Sequence, residues 1–123
     1  KSWQINIDAV YEFYKANPGA LPELIARSRA FLPGYMENLA GAIVDESADC
    51  IARAVSGVKA CAADFHADLV VQSAALLDLS AQKESWLDVR QHHQELVRCV
   101  DLLLSELDSL SILQDRREQP NTL

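Results

Sequence analysis

A nearly continuous series of apolar residues between positions 44 and 79 recurs at alternating intervals of four and three: Val44, Ala48, Ile51, Val55, Val58, Ala62, Phe65, Leu69, Gln72, Leu76 and Leu79. This spacing places them on one stripe of an α-helix, as in the seam of a coiled coil. A second stripe with the same spacing runs from Trp86 to Gln114. The connection between the stripes, residues 80–85, is so short that the second helix must return antiparallel to the first. The pattern predicts a long antiparallel helical hairpin with helices at about 35–80 and 85–117.

One antiparallel alignment of the two predicted helices places each residue of the second seam opposite a residue of the first. In that register Gln72 stands opposite His93, and both are polar. A side-chain amide and a neutral imidazole can form a hydrogen bond. A slip by one heptad would bury each against an apolar residue, at a cost of about 1–3 kcal/mol. We therefore expect Gln72 and His93 to fix the register, and we do not assign His93 to a metal site because no further ligand has a suitable spacing.

Two shorter amphipathic helices are predicted before the hairpin. The first spans about residues 4–16 and ends at Asn17-Pro18-Gly19, and the second begins near Pro22 and is interrupted at Pro33-Gly34. The chain is rich in Ala and Leu and contains only four Gly and four Pro. The predicted fold class is therefore all-α. We expect one helical domain over residues 1–117, a disordered tail over 118–123, and at most a bend at Gly57.

The predicted hairpin carries more apolar surface than one seam can bury. The surplus positions, which we expect to form a hydrophobic interaction face, are Ile43, Val70, Leu77, Leu87, Val97, Leu104 and Ile112. The two N-terminal helices are too short to cover the whole hairpin, so another surface must cover the remainder. We expect a homo-oligomer, either a dimer or a tetramer, or contact with a hydrophobic polymer, a lipid surface or a helical protein partner.

Charge and cysteine content limit the classes of partner and compartment. The net charge of −7 argues against nucleic-acid binding, which requires clustered Lys and Arg. The three cysteines, Cys50, Cys61 and Cys99, include no Cys-x-x-Cys pair and indicate reduced thiols. The sequence shows no secretory signal and no apolar run long enough to cross a bilayer. We expect a cytoplasmic protein, with association at a granule or membrane surface left open.

Motifs that would indicate catalysis are missing from the sequence. It contains no glycine-rich phosphate loop, no nucleophile elbow and no His-Glu-x-x-His pattern. Glu95 and His92 have the spacing of a di-iron bundle only in reverse order. We therefore predict no catalytic residue, no metal site and no cofactor, and we expect a protein that is not an enzyme.

Two blocks of the chain have the pattern of amphipathic helices. The first comprises residues 7–10, 15–17, 20–21, 26, 30–31, 35–39 and 46, and the second comprises residues 84–91 and 96–98. The first block resembles the amphipathic opening of phasins, the small helical proteins that coat bacterial polyhydroxyalkanoate storage granules. The second resembles the second helical block of that family. The resemblance implies a self-associating protein without catalytic residues, whose apolar helix faces lie on a polymer or lipid surface.

Two other functions fit the same pattern. A protein-interaction bundle, such as a secretion chaperone, an effector localisation domain or an adaptor, would bind a protein partner in fixed stoichiometry and ignore lipid or polymer. A small-molecule-sensing bundle would line a cavity with the N-terminal aromatic residues or with Gln72 and His93. Thermal stabilisation by a small ligand would identify it.

Overall fold

The computed structural model describes residues 4–17 and 19–118, with the side chains of these residues as far as Ile112. This part of the chain forms five α-helices: α1 (Ile7–Tyr14), α2 (Ala20–Val44), α3 (Ala48–Ala63), α4 (Asp68–Gln82) and α5 (Trp86–Glu118). The predicted all-α class is confirmed. Glu118, the first residue of the predicted tail, is the last residue of α5, and residues 119–123 lie outside the described part.

Four of the helices form a closed ring. α2 packs against α3 and α5, and α4 packs against the same two helices. Because successive helices are joined by connections of three or four residues, they run up, down, up and down. Apart from Val10 of α1, the largest fully buried side chains come from every helix of this ring and from the α3–α4 turn: Leu32, Leu39, Ile51, Val55, Val58, Phe65, Leu77, Leu96, Leu103, Leu107 and Leu110.

The helices of the ring differ in length. α2 has 25 residues and α5 has 33, whereas α3 and α4 have 16 and 15. At the usual rise of about 1.5 Å per residue, α2 and α5 therefore extend well beyond the α3–α4 pair. The N-terminal segment covers this extension. Its Ile5 and Val10 are buried, and the Asn6 amide donates to the Phe65 carbonyl in the α3–α4 turn at 3.2 Å.

Three helices end in the same turn geometry. After α2, the Glu46 amide donates to the Ile43 carbonyl and the Ser47 amide to the Ala42 carbonyl. This pair of hydrogen bonds is a Schellman motif, which needs a residue with positive φ. Glu46 supplies it at φ 52°, and His66 and Glu84 do so after α3 and α4, at 52° and 56°. Because none of the three is glycine, each turn holds an unfavourable backbone conformation.

The predicted long helix over 35–80 is wrong. The chain leaves the helix at residues 45–47 and again at 64–67, so this span contains the end of α2, all of α3 and nearly all of α4. Ser47 explains the first restart, because its side chain accepts a hydrogen bond from the Cys50 amide as the N-cap of α3. Gly57 lies inside α3 and interrupts nothing.

The predicted helix interruption at Pro33-Gly34 is also wrong, because α2 continues through both residues. An interior proline removes one helical hydrogen bond and costs about 3 kcal/mol. Leu32 and Leu39, on either side of the proline, are fully buried. Packing of both halves of α2 against the bundle therefore outweighs the local cost, and α2 is much longer than the short helix expected from sequence.

Candidate functional site

The seven residues of the predicted interaction face do not share one surface. The structure places Ile43, Val70 and Leu77 in the core and leaves Leu87 and Ile112 exposed. Val97 and Leu104 are half-buried beside α2. The expected face is therefore corrected: it assumed an unbroken helix from 35 to 80, and the turn at residues 64–67 changes which side of α4 faces the core.

The predicted pairing of Gln72 with His93 requires both side chains to be buried in one seam, and the structure corrects this. Gln72 is exposed on α4. His93 is half-buried on α5 and faces a groove beside α2. The buried side chains between α4 and α5 are apolar instead. The alignment of these two helices therefore follows from their packing and from the short turn that joins them.

The exposed side of α4 is the clearest candidate for a binding surface. Leu69, Leu76 and Leu79 lie on it with 55%, 50% and 48% of their surface exposed. Together with Gln72 they recur at intervals of three and four, so they share one side of the helix. We call these four residues the α4 outer face. Soluble domains rarely expose large apolar side chains in a continuous row, and such rows mark interaction sites.

A comparison with α3 shows that this row is a property of α4. The opposite side of α4 packs into the core through Val70, Ala74, Leu77 and Ala81, so the helix is apolar on two sides. α3 has nearly the same length, but its exposed residues in the helix interior are small or polar, among them Arg53, Ser56 and Ala60. A helix with a second apolar side is expected to have that side covered as well.

A groove of about 330 Å³ opens between α2 and α5. It is lined from α2 by Pro33, Met36, Glu37 and Ala40, and from α5 by His93, Val97, Val100, Asp101 and Leu104. Burial lowers the pKa of the His93 imidazole below its ordinary value of 6.5. His93 therefore favours the neutral form at neutral pH.

A wider groove of about 590 Å³ lies between α2 and α3, where Tyr35, Asn38, Asp45, Cys50 and Arg53 are among the lining residues. At this contact the Tyr35 ring lies directly against the backbone of Gly57. A Cβ atom at Gly57 would be 2.7 Å from the ring atoms Cδ1 and Cε1. The glycine is therefore required for close approach and not for flexibility.

A polar cluster lies where α1 and α2 meet the end of α3. Burial raises the pKa of the Cys61 thiol, and the hydrogen bond with the buried Ser28 opposes that shift only in part. Burial also raises the pKa of the Asp64 carboxyl, against the attraction of the Arg27 guanidinium. A thiol with a raised pKa is protonated at neutral pH and is a poor nucleophile. The cluster therefore contains no activated cysteine.

The described residues contain no group of three His, Cys, Asp or Glu side chains arranged to hold a metal ion. No helix among them is both long and apolar enough to cross a bilayer. Glu106, which sequence reasoning did not single out, accepts hydrogen bonds from the Gln4 and Ile5 amides, both at 2.8 Å. Nothing local in the sequence indicates this contact, since the partners are about a hundred residues apart.

The α4 outer face was present in the sequence pattern but was assigned to the wrong environment. Its residues belong to the first seam and were expected in the core. The Ser47 N-cap indicates the first break in the seam, but no side-chain cap marks the turn at residues 64–67, which orients α4. No protein-family model, curated protein or solved structure matches the chain, so the comparisons add no family to this description.

Proposed function

We propose that this protein acts by binding through the α4 outer face and performs no catalysis. The lead function is that of an amphipathic helical coat protein of the phasin type, which associates with a hydrophobic polymer or lipid surface and with copies of itself. The observation that carries the proposal is the row of three half-exposed leucines on a helix whose other side is already buried. Removal of this apolar surface from water would supply the binding energy.

Charge supports an apolar rather than an ionic contact. α4 contains two charged residues, Asp68 and Asp78, and no basic residue. The whole chain has a net charge of −7. Binding that depended on anionic lipid headgroups would require Lys or Arg beside the apolar row. We therefore expect binding to neutral surfaces that persists at high salt, because hydrophobic contacts are not screened.

The test is flotation of the purified protein with polyhydroxybutyrate granules or neutral oil droplets through a density gradient. The wild-type chain should float with the particles in both low and high salt. A triple variant with Leu69→Gln, Leu76→Gln and Leu79→Gln should stay behind, because its α4 outer face is polar. The same loss with a folded control variant would contradict a specific role for α4.

The matched control replaces three exposed apolar residues on other helices, Phe31→Gln, Val44→Gln and Leu87→Gln. These side chains are 55%, 82% and 63% exposed and lie on α2 and α5. Both triple variants lose three apolar side chains, so only position distinguishes them. Far-UV circular dichroism of each variant verifies that the bundle is folded before flotation is compared.

A protein partner is the second candidate, and Gln72 favours it. This residue lies among the leucines of the α4 outer face and is exposed. On an oil or polymer surface its amide would lose hydrogen bonds to water without replacement, which costs free energy. A helix of a second protein, or of a second copy, could pair with it. Sedimentation that shows a compact dimer dissociated by the α4 triple variant, together with no flotation, would favour this function over the coat.

A further inference from the structure

The groove between α2 and α5 has the size and lining of a small-ligand site. Its volume of about 330 Å³ is at the lower end of the range for ligand pockets in proteins. Met36, Val97 and Leu104 supply half-buried apolar surface on both sides. The small Ala40 side chain on α2 leaves the space open. The groove can therefore hold a short apolar body but not a helix of several turns.

The carboxylates that line the groove have no cationic partner in the described part of the chain. Glu37 from α2 and Asp101 from α5 both line it and both are exposed. Farther along the same helix pair, Arg29 of α2 and Asp108 of α5 form a complementary contact of 2.8 Å. Among the side chains that the structure describes, no such cation pairs with Glu37 or Asp101. Two carboxylates without a cationic partner give the groove a negative potential, which attracts a cation.

His93 adds an acceptor to this arrangement. The imidazole lines the groove and its neutral form predominates at neutral pH, since burial lowers its pKa. A neutral imidazole has one ring nitrogen that accepts a hydrogen bond. It therefore does not repel a cation, and it can accept a hydrogen bond from a polar group at its own end of the groove, eight residues along α5 from Asp101.

We propose that this groove binds a lipophilic amine, a small molecule with an apolar body and a protonated amino group. The apolar body lies against Met36, Val97 and Leu104, and the ammonium group lies between Glu37 and Asp101. A bare inorganic cation would leave the apolar lining unused, and a fatty acid would place a carboxylate beside two others. This site is separate from the α4 outer face, because no residue of α4 lines the groove.

The experiment compares three probes that share one alkyl chain: octylamine, 1-octanol and octanoate, each below its aggregation concentration, titrated into the full chain by isothermal calorimetry at pH 7. Octylamine should bind roughly tenfold tighter than octanol, because two exposed ion pairs are added. Octanoate should bind most weakly. Equal binding of octylamine and octanoate, or no binding of octylamine, overturns the proposal.

Variants locate the bound amine. Glu37→Gln and Asp101→Asn should each weaken octylamine several-fold and leave octanol unchanged, while Ala40→Leu should fill the groove and weaken both. Glu12→Gln, which removes one exposed carboxylate from α1, is the control and should bind as the wild type does. If a folded Ala40→Leu variant binds octylamine with wild-type affinity, the amine binds elsewhere and the proposal is wrong. The α4 triple variant should retain amine binding, so failure here is distinguishable from failure of the coat function.

Discussion

At the scale of single residues, Gly57 decides how closely α2 and α3 approach. The Tyr35 ring occupies the space where a side chain at this position would begin, with ring atoms 2.7–2.8 Å from an ideal Cβ. Glycine inside a helix normally costs about 0.5–1 kcal/mol relative to alanine. Here the glycine is retained against that cost because the aromatic ring packs on its bare backbone.

We predict that Gly57→Ala lowers the free energy of unfolding by about 1–3 kcal/mol, since the Tyr35 ring must leave its position. The control is Gly41→Ala in α2, where no atom lies within 4 Å of the new Cβ. That substitution should stabilise the protein by about 0.5–1 kcal/mol. Urea unfolding of both variants measures whether each substitution raises or lowers the free energy of unfolding. Stabilisation by both alanines would show that Tyr35 moves aside without loss.

His93 should make stability depend on pH. Burial lowers its pKa in the folded state below 6.5, even though Glu37 and Asp101 line the same groove. The unfolded chain therefore binds the proton more readily than the folded chain, and stability falls as the pH drops through and below about 6.5. Above that range the contribution of this group is fully present.

We predict that wild-type protein loses more stability between about pH 7.5 and pH 5.5 than His93→Leu does, because the variant has no imidazole to protonate at this site. The measurement is the urea midpoint at each pH. Identical pH dependence in the two proteins would mean that protonated His93 is accommodated in the groove without cost.

At the scale of elements, the positions of the turns explain which sequence predictions are correct. The seam of α5 is correct in the structure, since Val89, Leu96 and Leu103 are buried, and so is the seam of α3 through Ile51, Val55 and Val58. On α4 the assignment is reversed: Leu69 and Leu76 were expected inside and are exposed, while the surplus residue Leu77 is buried.

Periodicity could not have resolved this reversal. Both sides of α4 carry apolar residues at intervals of three and four, so the spacing alone does not indicate which side faces the core. The turn at residues 64–67 sets that orientation. Turns are usually recognised by Gly or Pro, whereas here positive φ is adopted by Glu46, His66 and Glu84. The all-α class and the separate helices at both ends follow from local pattern, but the breaks and the α4 outer face do not.

The same turns offer a direct test of backbone strain. Glu46→Gly should raise the free energy of unfolding by about 1 kcal/mol, because glycine adopts positive φ without steric cost. Its neighbour Asp45, at φ −80°, is the control. Asp45→Gly should give no gain, since its backbone already lies in a favourable region. Thermal unfolding of the two variants compares them; equal effects would indicate that the φ angle of Glu46 carries no strain.

At the scale of the whole molecule, three contacts of the ring join helices that are neighbours in sequence, and one joins helices that are far apart in sequence. Short turns join α2 to α3, α3 to α4 and α4 to α5, whereas α2 and α5 meet without a connecting turn and close the ring. The groove and the Arg29–Asp108 ion pair both lie at this closing contact. Contacts between distant parts of a chain form against a larger loop entropy. A ligand bound in the groove at this contact would stabilise the closed ring to the extent set by its concentration and its affinity for the folded state.

Glu106 makes a second distant contact, and we predict that Glu106→Ala lowers the free energy of unfolding by about 1–3 kcal/mol, because the amides of Gln4 and Ile5 lose their acceptor. Both amides donate to its carboxylate at 2.8 Å. Glu106→Gln retains one acceptor oxygen and should fall between alanine and wild type. Chemical denaturation measures the series. An alanine variant as stable as the wild type would mean that water replaces the carboxylate without cost.

The Glu106 carboxylate links the hydrogen exchange of two backbone amides before α1 to the folding of the distal half of α5. Gln4 and Ile5 precede α1, so no helical hydrogen bond protects their amides. Their partner is 102 and 101 residues away on α5. In amide hydrogen exchange, slow exchange at these two positions therefore requires that the distal half of α5 be helical and docked. Their exchange rate compared with that of amides within α3 would report whether the extended end of the molecule opens before the ring does.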